Sequence, residues 1–246
     1  MLHKIVLVTG AAKRIGAGIV RELHASGANL MLHYHTSANE AHALADELNR
    51  QRSHSVALIQ ANLLDFASLP LLIQRTHECF GRLDALVNNA SSFFATTIND
   101  INNHNWHNLM GTNVQAPLFL AQAAAPLLRQ YHGCIVNIAD IHAERPMKNH
   151  IIYNIAKAGV VAMTRSLARE LAPEIRVNAI APGSNIWPES HSTFDDIAKQ
   201  RIIRTIFLKR IGDPVDIART IAFLINDAHY ITGQIIAVDG GRSLYL

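Results

Sequence analysis

Short runs rich in β-branched residues or leucine alternate with longer helical patterns along this chain of 246 residues. The runs predict strands at residues 5–8, 29–34, 55–61, 85–88, 134–139, 176–181 and 235–238. The patterns between them predict helices at about 14–26, 39–50, 106–128, 150–171 and 214–226, and one that ends near residue 79. Because strands such as 5–8 are apolar on both faces, they suit a parallel sheet that is covered on both sides. The alternation therefore predicts an α/β fold with a single doubly wound (Rossmann) domain over residues 1–246, in which about seven parallel strands are flanked by helices.

Composition limits the classes of partner and site. Hydrophobic residues make up 49% of the chain, and the formal net charge is only +3, with no basic block of the kind that follows a nucleic-acid backbone. Cys79 and Cys134 form no metal-binding or disulfide pattern, which indicates a reducing cytoplasm and no metal site. Residues 116–128 are too short and too interrupted to span a membrane, and the N-terminus leaves no room for a signal segment. We expect a soluble, unprocessed protein that binds a small anionic ligand, with no nucleic-acid or membrane partner.

A glycine-containing turn, Thr9-Gly10-Ala11-Ala12-Lys13-Arg14-Ile15-Gly16, follows the first strand and opens the first helix. Gly10 permits a tight turn and Gly16 permits close packing of the helix on the strand, while the free amides at the helix start attract a pyrophosphate. Lys13 and Arg14 add positive charge there. In this position the turn predicts a dinucleotide site; an ordinary strand-to-helix turn is the alternative.

The end of the second strand indicates which dinucleotide is bound. A carboxylate that binds a ribose 2′-hydroxyl is expected about 20 residues beyond the glycines. The sequence there reads His33-Tyr34-His35-Thr36-Ser37, and no acidic residue occurs before Glu40. The missing carboxylate and the nearby donors favour a 2′-phosphate, and hence NADPH over NADH. A solvated basic turn at Lys13 is the alternative.

Tyr153 and Lys157 are separated by one helical turn, so their side chains lie on one face of a helix. A free tyrosine titrates near pH ~10, and an adjacent cation favours the phenolate and brings the pKa toward the working range. The pair therefore predicts a proton donor for a reduction. Asp140 lies shortly before it, at the end of a strand.

With these motifs and the βα order, the chain resembles the short-chain dehydrogenases/reductases over its whole length. Further matches are Asn88-Asn89-Ala90, Asn113, Pro182-Gly183 and Asp239-Gly240-Gly241. The resemblance implies hydride transfer from a nicotinamide to a carbonyl or imine, with Tyr153 as proton donor, Lys157 holding the nicotinamide ribose and tuning Tyr153, and Asn113 organising a water. It also implies a homotetramer, and it implies cofactor contacts from Gly10, Lys13, Arg14, Ile15, Gly16, Tyr34, His35, Thr36, Ser37, Asn62, Leu63, Asn89, Ala90, Ser91, Lys157, Pro182, Gly183 and Ser184.

Departures from the common pattern resemble one subfamily, the pteridine reductases. Arg14 replaces a glycine, Ser91 replaces the glycine of Asn-Asn-Ala-Gly, and Asp140 replaces a serine. In that subfamily the residue matching Phe93 stacks a pterin on the nicotinamide. The resemblance implies a substrate site made by Arg14, Ser91, Phe93, Asp140 and Tyr153, and Trp187 is added to it because it lies in the irregular segment after residue 182. Two positions depart from the subfamily: Thr36 stands where it has an arginine, and Asn62 where it has an aspartate.

The chemistry of Asp140 agrees with that resemblance. A serine hydroxyl can donate to a ketone oxygen, whereas an ionised carboxylate only accepts and would repel the charge that develops on a reduced carbonyl. Asp140 suits a ring that presents N–H donors, or it relays a proton if burial raises its pKa. The alternative is a carboxylate that caps the next segment. For Phe93 and Phe94 the alternative is packing under a loop.

Three functional hypotheses follow. The first is NADPH-dependent reduction of a ring C=N in a dihydropterin or related pterin, dihydrofolate included, by Asp140, Tyr153, Lys157 and Asn113. The second is a carbonyl or 3-oxoacyl-(acyl-carrier-protein) reductase that uses NADPH. The third is a non-catalytic NADP(H)-binding sensor. An irregular segment at about 182–195, too polar for a core element, is predicted to form a substrate loop over the ligand.

Overall fold

A seven-stranded sheet organises the molecule. The structure is a computed structural model that describes residues 3–187 and 195–245. All strand pairs are parallel, and the strand order is β3-β2-β1-β4-β5-β6-β7. The strands are β1 (Ile5–Val8), β2 (Asn29–Tyr34), β3 (Val56–Gln60), β4 (Ala85–Asn88), β5 (Cys134–Ile138), β6 (Arg176–Pro182) and β7 (Ile235–Val238). The predicted fold is confirmed, and no strand end differs from the predicted one by more than one residue.

Helices cover both faces of the sheet. On one face Val6 and Val8 pack with α1 (Arg14–Ala25), α2 (Ala38–Gln51) and α8 (Pro214–Asn226). On the other face Leu7 packs with α3 (Leu69–Phe80) and α5 (Ala116–Gln130), while α6 (Ile151–Leu171) packs beside them on β6. Successive strand residues point to opposite faces. A strand such as Ile5–Val8 can therefore be wholly buried only because both faces are covered.

The strand order reverses next to β1, which pairs with β2 on one side and with β4 on the other. From β2 the chain continues outward to β3, and from β4 it continues in the opposite direction to β5. In an open α/β sheet such a reversal leaves a crevice outside the carboxyl ends of the strands, where ligands bind. The Gly10 turn follows β1 at this edge, and Asn89 follows β4.

The helix predicted over residues 106–128 is three segments. These are α4 (Asn103–Met110), a π-helical stretch (Gly111–Gln115) and α5. The π-helical stretch ends just before Pro117, which has no N–H to donate to the preceding turn. The change of winding falls on the segment that carries Asn113, which is buried there.

A further helix, α7 (Asp196–Thr205), was not predicted. It contains no buried residue, so it lacks the apolar periodicity that revealed the other helices. The sequence does carry an N-cap residue for this helix, Asp195, whose carboxylate accepts from the N–H of Ala198 at 2.7 Å. Residues 183–187 of the predicted loop are irregular, and 188–194 lie outside the described residues.

Candidate active site

A cleft of about 480 Å³ opens at the reversal point of the sheet. Many of the predicted cofactor residues form its wall: Gly10, Lys13, Arg14, Ile15, Gly16, Tyr34, His35, Thr36, Ser37, Asn62, Leu63, Asn89, Ala90 and Ser91. They come from the ends of β1, β2, β3 and β4, which the parallel sheet brings to one edge. Sequence reasoning did not assign Ala12, His33, Leu64, Ser92, Asn108 and Thr112, which also line the cleft.

The turn after β1 is held against β4. Gly10 has φ +61°, in the left-handed region, and a Cβ there would lie 2.8 Å from the Cα of Ala90. The amide of Asn89 donates to the carbonyls of Thr9 and Gly10, both at 2.9 Å. A Cβ at Gly16 would meet the carbonyl of Gly10 and the Asn89 amide. The absence of a side chain at Gly16 therefore allows the start of the helix to pack against the turn. The sequence had suggested that it allows packing against the strand.

The two basic residues of the turn have partners within the protein. Lys13 forms an ion pair with Glu40 at 2.6 Å on the exposed rim of the cleft. The guanidinium of Arg14 donates to the carbonyls of Ile186 and Trp187 at 3.2 and 3.5 Å. Arg14 thus connects the turn to the segment after β6, which places the backbone of Trp187 near the cleft.

Three residues predicted to touch the cofactor lie against the last strand. Gly183 donates its N–H to the carbonyl of Val238 at 3.1 Å, directly after Pro182 pairs with that strand end. The hydroxyl of Ser184 accepts from the guanidinium of Arg242. Pro182, Gly183 and Ser184 therefore lie beside the end of β7 and the C-terminal turn, and their contact with the cofactor stays a prediction.

Tyr153, Lys157 and Asp140 come together at the carboxyl end of β5. The hydroxyl of Tyr153 donates to Asp140 Oδ2 at 2.6 Å. The ammonium of Lys157 lies 5.6 Å from the centre of the Tyr153 ring and donates to the carbonyl of Ile138 at 2.9 Å. Tyr153 and Lys157 are 5% and 3% exposed. The predicted shared helix face is therefore present, with both polar ends buried.

The expected lowering of the Tyr153 pKa is wrong for this arrangement. Burial raises the pKa of Tyr153 above its usual value, and the charge and hydrogen bond of Asp140 raise it further. Burial also lowers the pKa of Lys157 to about 8, although the charge of Asp140 opposes this shift. The carboxyl group of Asp140, rather than the ammonium of Lys157, is the group that contacts the phenol hydroxyl. Tyr153 is thus a firmly protonated group beside an acceptor.

Asp140 also performs the capping role that was the alternative reading. Its Oδ1 accepts from the backbone N–H of His142 at 2.9 Å, while its Oδ2 accepts from Tyr153. The backbone contact fixes the carboxylate at the strand end. Capping and contact with the catalytic candidate are therefore compatible roles of one side chain.

Asn113 connects the π-helical stretch to the loop after β4. Its amide donates to the carbonyls of Leu109 and Ser92 at 2.8 and 3.0 Å. Its Oδ1 accepts from the hydroxyl of Ser91 at 2.6 Å. Asn113 thereby orients Ser91 in the cleft wall. The role in holding a water that the resemblance implied stays a prediction.

Phe93 and Phe94 differ in environment. Phe93 is 57% exposed; its ring stacks on His150 at 4.9 Å between centroids and meets Tyr153 at the same distance, nearly perpendicular. Phe94 packs against the buried group that includes Leu109 and Tyr153. Packing is therefore the role of Phe94, while Phe93 presents an aromatic surface beside Tyr153. His150 was not assigned from the sequence.

Comparison with known proteins identifies the family. Residues 10–243 match the family model described as enoyl-(acyl carrier protein) reductase. The chain is 36% identical over 243 residues to 3-oxoacyl-(acyl-carrier-protein) reductase FabG of Staphylococcus epidermidis, with 98% of this chain and 99% of the relative covered. It is 34% identical over 282 residues to pteridine reductase 1 of Leishmania tarentolae, with 98% and 96% covered. The chain belongs to the short-chain dehydrogenase/reductase family.

Membership makes the protein an oxidoreductase and implies a nicotinamide cofactor. The cleft suits such a group, because the turn that borders it is the glycine-containing turn after β1, whose compact form a side chain at Gly10 or Gly16 would disrupt. Arg242 is a further residue that sequence reasoning missed: burial lowers its pKa, and the nearby charge of Asp140 opposes that shift. It lies in the C-terminal turn, on the Asp140 side of the site.

Residues 3–187 and 195–245, which the structure describes, contain neither a membrane-spanning helix nor a metal-binding cluster. No helix there has the length and apolar character needed to cross a membrane. No group of three or more His, Cys, Asp or Glu side chains there is arranged to hold a metal ion.

Proposed function

We propose that this short-chain reductase uses NADPH to reduce a ring C=N of a pterin, converting a dihydropterin, with dihydrofolate as a related candidate, to the tetrahydro form. The observation that carries the proposal is the hydrogen bond from the Tyr153 hydroxyl to Asp140 at 2.6 Å. A bound nicotinamide would supply the hydride. The residues of this chain bind and orient the ring and supply the proton.

A carboxylate beside Tyr153 discriminates between the two substrate classes. An ionised Asp140 can only accept hydrogen bonds, and it would repel the negative charge that develops on a carbonyl oxygen during reduction. A pterin presents ring and exocyclic N–H groups that a carboxylate can bind. The reduced C=N nitrogen takes up a proton, and the Tyr153 hydroxyl, which its raised pKa keeps protonated at neutral pH, is the nearby group that carries one.

The exposed ring of Phe93 supports the same substrate class. A flat heteroaromatic ring gains about 0.5–1.5 kcal/mol from stacking on an aromatic side chain. Phe93 lies 4.9 Å from Tyr153 between centroids and is more than half exposed. A pterin stacked there would lie next to the hydroxyl that gives the proton.

The preference for NADPH rests on the charges around the cleft. Residues 33–37 contribute no carboxylate to its wall, and Lys13 and Arg14 also line the cleft. The acid that follows, Glu40, is already paired with Lys13 at 2.6 Å. These charges favour a 2′-phosphate over a 2′-hydroxyl that needs a carboxylate.

A second candidate is reduction of a carbonyl or of a 3-oxoacyl thioester on an acyl carrier protein, with NADPH. The identities favour it slightly, at 36% and 37% to the FabG proteins of Staphylococcus epidermidis and Staphylococcus aureus against 34% to pteridine reductase 1. Against it stands Asp140, which offers an acceptor where a carbonyl oxygen needs a donor.

Exchange of Asp140 for serine separates the two candidates. If the protein reduces pterins, Asp140→Ser lowers kcat/KM for dihydrobiopterin about a hundredfold, the scale of a lost acid–base group. If it reduces 3-oxoacyl thioesters, the same variant gains activity on acetoacetyl-CoA. Initial rates of NADPH oxidation measure both. Asp140→Asn, which keeps the size and a backbone acceptor, is the control for loss of the cap at His142.

We also propose a homotetramer in which α5 and α6 pack between subunits. Leu118 and Phe119 on α5 are each 41% exposed, and Ile155 on α6 is 45% exposed. Large apolar side chains that face outward on neighbouring helices mark an interaction surface when they cluster.

A further inference from the structure

His33 lies near the end of β2, beneath the turn at Gly10, and only 1% of its surface is exposed. Its ring bridges two backbone segments. Nδ1 lies 3.1 Å from the nitrogen of Gly10, and Nε2 lies 3.2 Å from the carbonyl oxygen of Ala61. The imidazole therefore joins the turn after β1 to the residue that follows β3.

These two contacts fix the state of the ring. A backbone N–H only donates, so Nδ1 must accept from Gly10 and carry no proton. A carbonyl only accepts, so Nε2 must carry the proton toward Ala61. Burial lowers the pKa of His33 to about 4; the Ala61 contact opposes this, and the charge of His35 adds to it. At neutral pH the ring is the neutral Nε2–H tautomer.

The Gly10 peptide is held from both sides. Asn89 donates to its carbonyl at 2.9 Å, and His33 accepts from its N–H at 3.1 Å. The next N–H, of Ala11, donates to the backbone carbonyl of His33 at 2.9 Å. Those two amides are thereby committed within the protein. An anionic ligand at this turn depends on the amides at the start of α1, whose positions follow from the turn.

We propose that His33 is a positioning residue for the cofactor: its neutral ring holds the Gly10 turn in the conformation that receives the phosphates. The ring acts through Gly10 and carries out no chemistry. The proposal rests on the nicotinamide cofactor of the family and is independent of the substrate. Failure of pterin turnover would therefore leave it standing.

Two substitutions test the two hydrogen bonds of the His33 ring separately. His33→Asn retains an oxygen acceptor near the position of Nδ1, and His33→Gln retains an N–H donor near the position of Nε2. NADPH binding is measured by fluorescence titration. We expect His33→Asn to bind within about threefold of the natural protein and His33→Gln about tenfold more weakly, the scale of one lost hydrogen bond.

His24 supplies the matched control. It is also a buried histidine, 3% exposed, with Nε2 2.8 Å from the Ser55 hydroxyl, outside the cleft wall. His24→Asn and His24→Gln should lower the melting temperature without changing NADPH affinity. If both His33 variants weaken NADPH binding equally, or neither does, the positioning role is wrong.

A measurement without cofactor decides the same question. Hydrogen exchange of the Gly10 amide should be as slow in His33→Asn as in the natural protein, and faster in His33→Gln, because only the latter lacks the acceptor. Where a variant does not fold, ¹⁵N NMR of the natural protein shows which ring nitrogen of His33 carries the proton. A ring protonated at Nδ1 at neutral pH would overturn the proposal.

Discussion

Asp140 is the residue on which the choice of substrate depends. It has two contacts, the backbone of His142 through Oδ1 and the hydroxyl of Tyr153 through Oδ2. The first fixes the position of the carboxylate, and the second helps to keep Tyr153 protonated before the reaction. A protonated Tyr153 is the state that a reduction requires at its start, because the proton must be available when the substrate nitrogen gains charge.

Lys157 predicts an alkaline limit on activity. Its pKa is lowered to about 8 by burial, so it loses its charge above that pH. Without the ammonium 5.6 Å from its ring, Tyr153 gives up its proton less readily. We expect kcat to fall about tenfold per pH unit above about pH 8, as for loss of one essential proton. The pH profile of steady-state NADPH oxidation measures it.

Unfolding does not explain that limit. The folded pKa of Lys157 lies below its ordinary value of 10.5, so the unfolded chain binds more protons between about pH 8 and 10.5. Through this group folding stability rises with pH in that window. Lys157→Met should have low activity without the alkaline limb. If the activity of Lys157→Met fell with the same midpoint at alkaline pH, the alkaline limit could not be assigned to Lys157.

At the scale of elements, the start of α1 and the Gly10 turn form one unit. A Cβ at Gly16 would meet the Gly10 carbonyl and lie 2.8 Å from Nδ2 of Asn89. Gly16→Ala should therefore displace the turn and weaken NADPH binding at least about tenfold, the equivalent of about 1.4 kcal/mol. Fluorescence titration with NADPH measures the change.

Gly159→Ala is the control for a glycine inside a helix. Gly159 lies in α6, has no positive φ, and its added Cβ would lie 3.3 Å from a methyl group of Val114. The Val114 side chain can shift to accept the added Cβ, whereas the Gly10 backbone that faces Gly16 cannot. Unchanged NADPH affinity in Gly16→Ala would show that the turn tolerates displacement.

The elements differ in how far the sequence could predict them. The seven strands and the six helical patterns carry continuous or periodic apolar residues, and these were read correctly except for the pattern over 106–128, which is three segments. α7 buries no side chain, so only its cap at Asp195 marked it. The π-helical winding around Asn113 depends on hydrogen-bond geometry rather than on a hydrophobic pattern.

The candidate site was predictable where spacing along one helix determines it. Tyr153 and Lys157 share a face of α6 because four residues complete about one turn. The stack of Phe93 on His150 joins two segments far apart in the chain, and the bridge from His33 to Gly10 and Ala61 joins three strand ends. Such contacts follow from the tertiary fold, so local pattern reading could not reveal them.

At the scale of the whole molecule, the proposed tetramer predicts a mass four times that of one chain, measured by light scattering. Phe119→Glu places a charge on α5, where 41% of the side chain is exposed, and should reduce the mass to that of a smaller species. Leu71→Glu is the control, because Leu71 is 54% exposed on α3, outside α5 and α6. A monomeric mass for the natural protein would refute the proposal.

The measurement that bears most directly on the central claim is the specificity of the natural protein. The ratio of kcat/KM for dihydrobiopterin to that for acetoacetyl-CoA, each with NADPH, compares the two substrate classes at one site. Because Asp140 accepts a hydrogen bond from Tyr153, the ratio should exceed about a hundred, the scale of a lost acid–base contact. Faster reduction of acetoacetyl-CoA than of dihydrobiopterin, or NADPH binding without turnover of either, would contradict it.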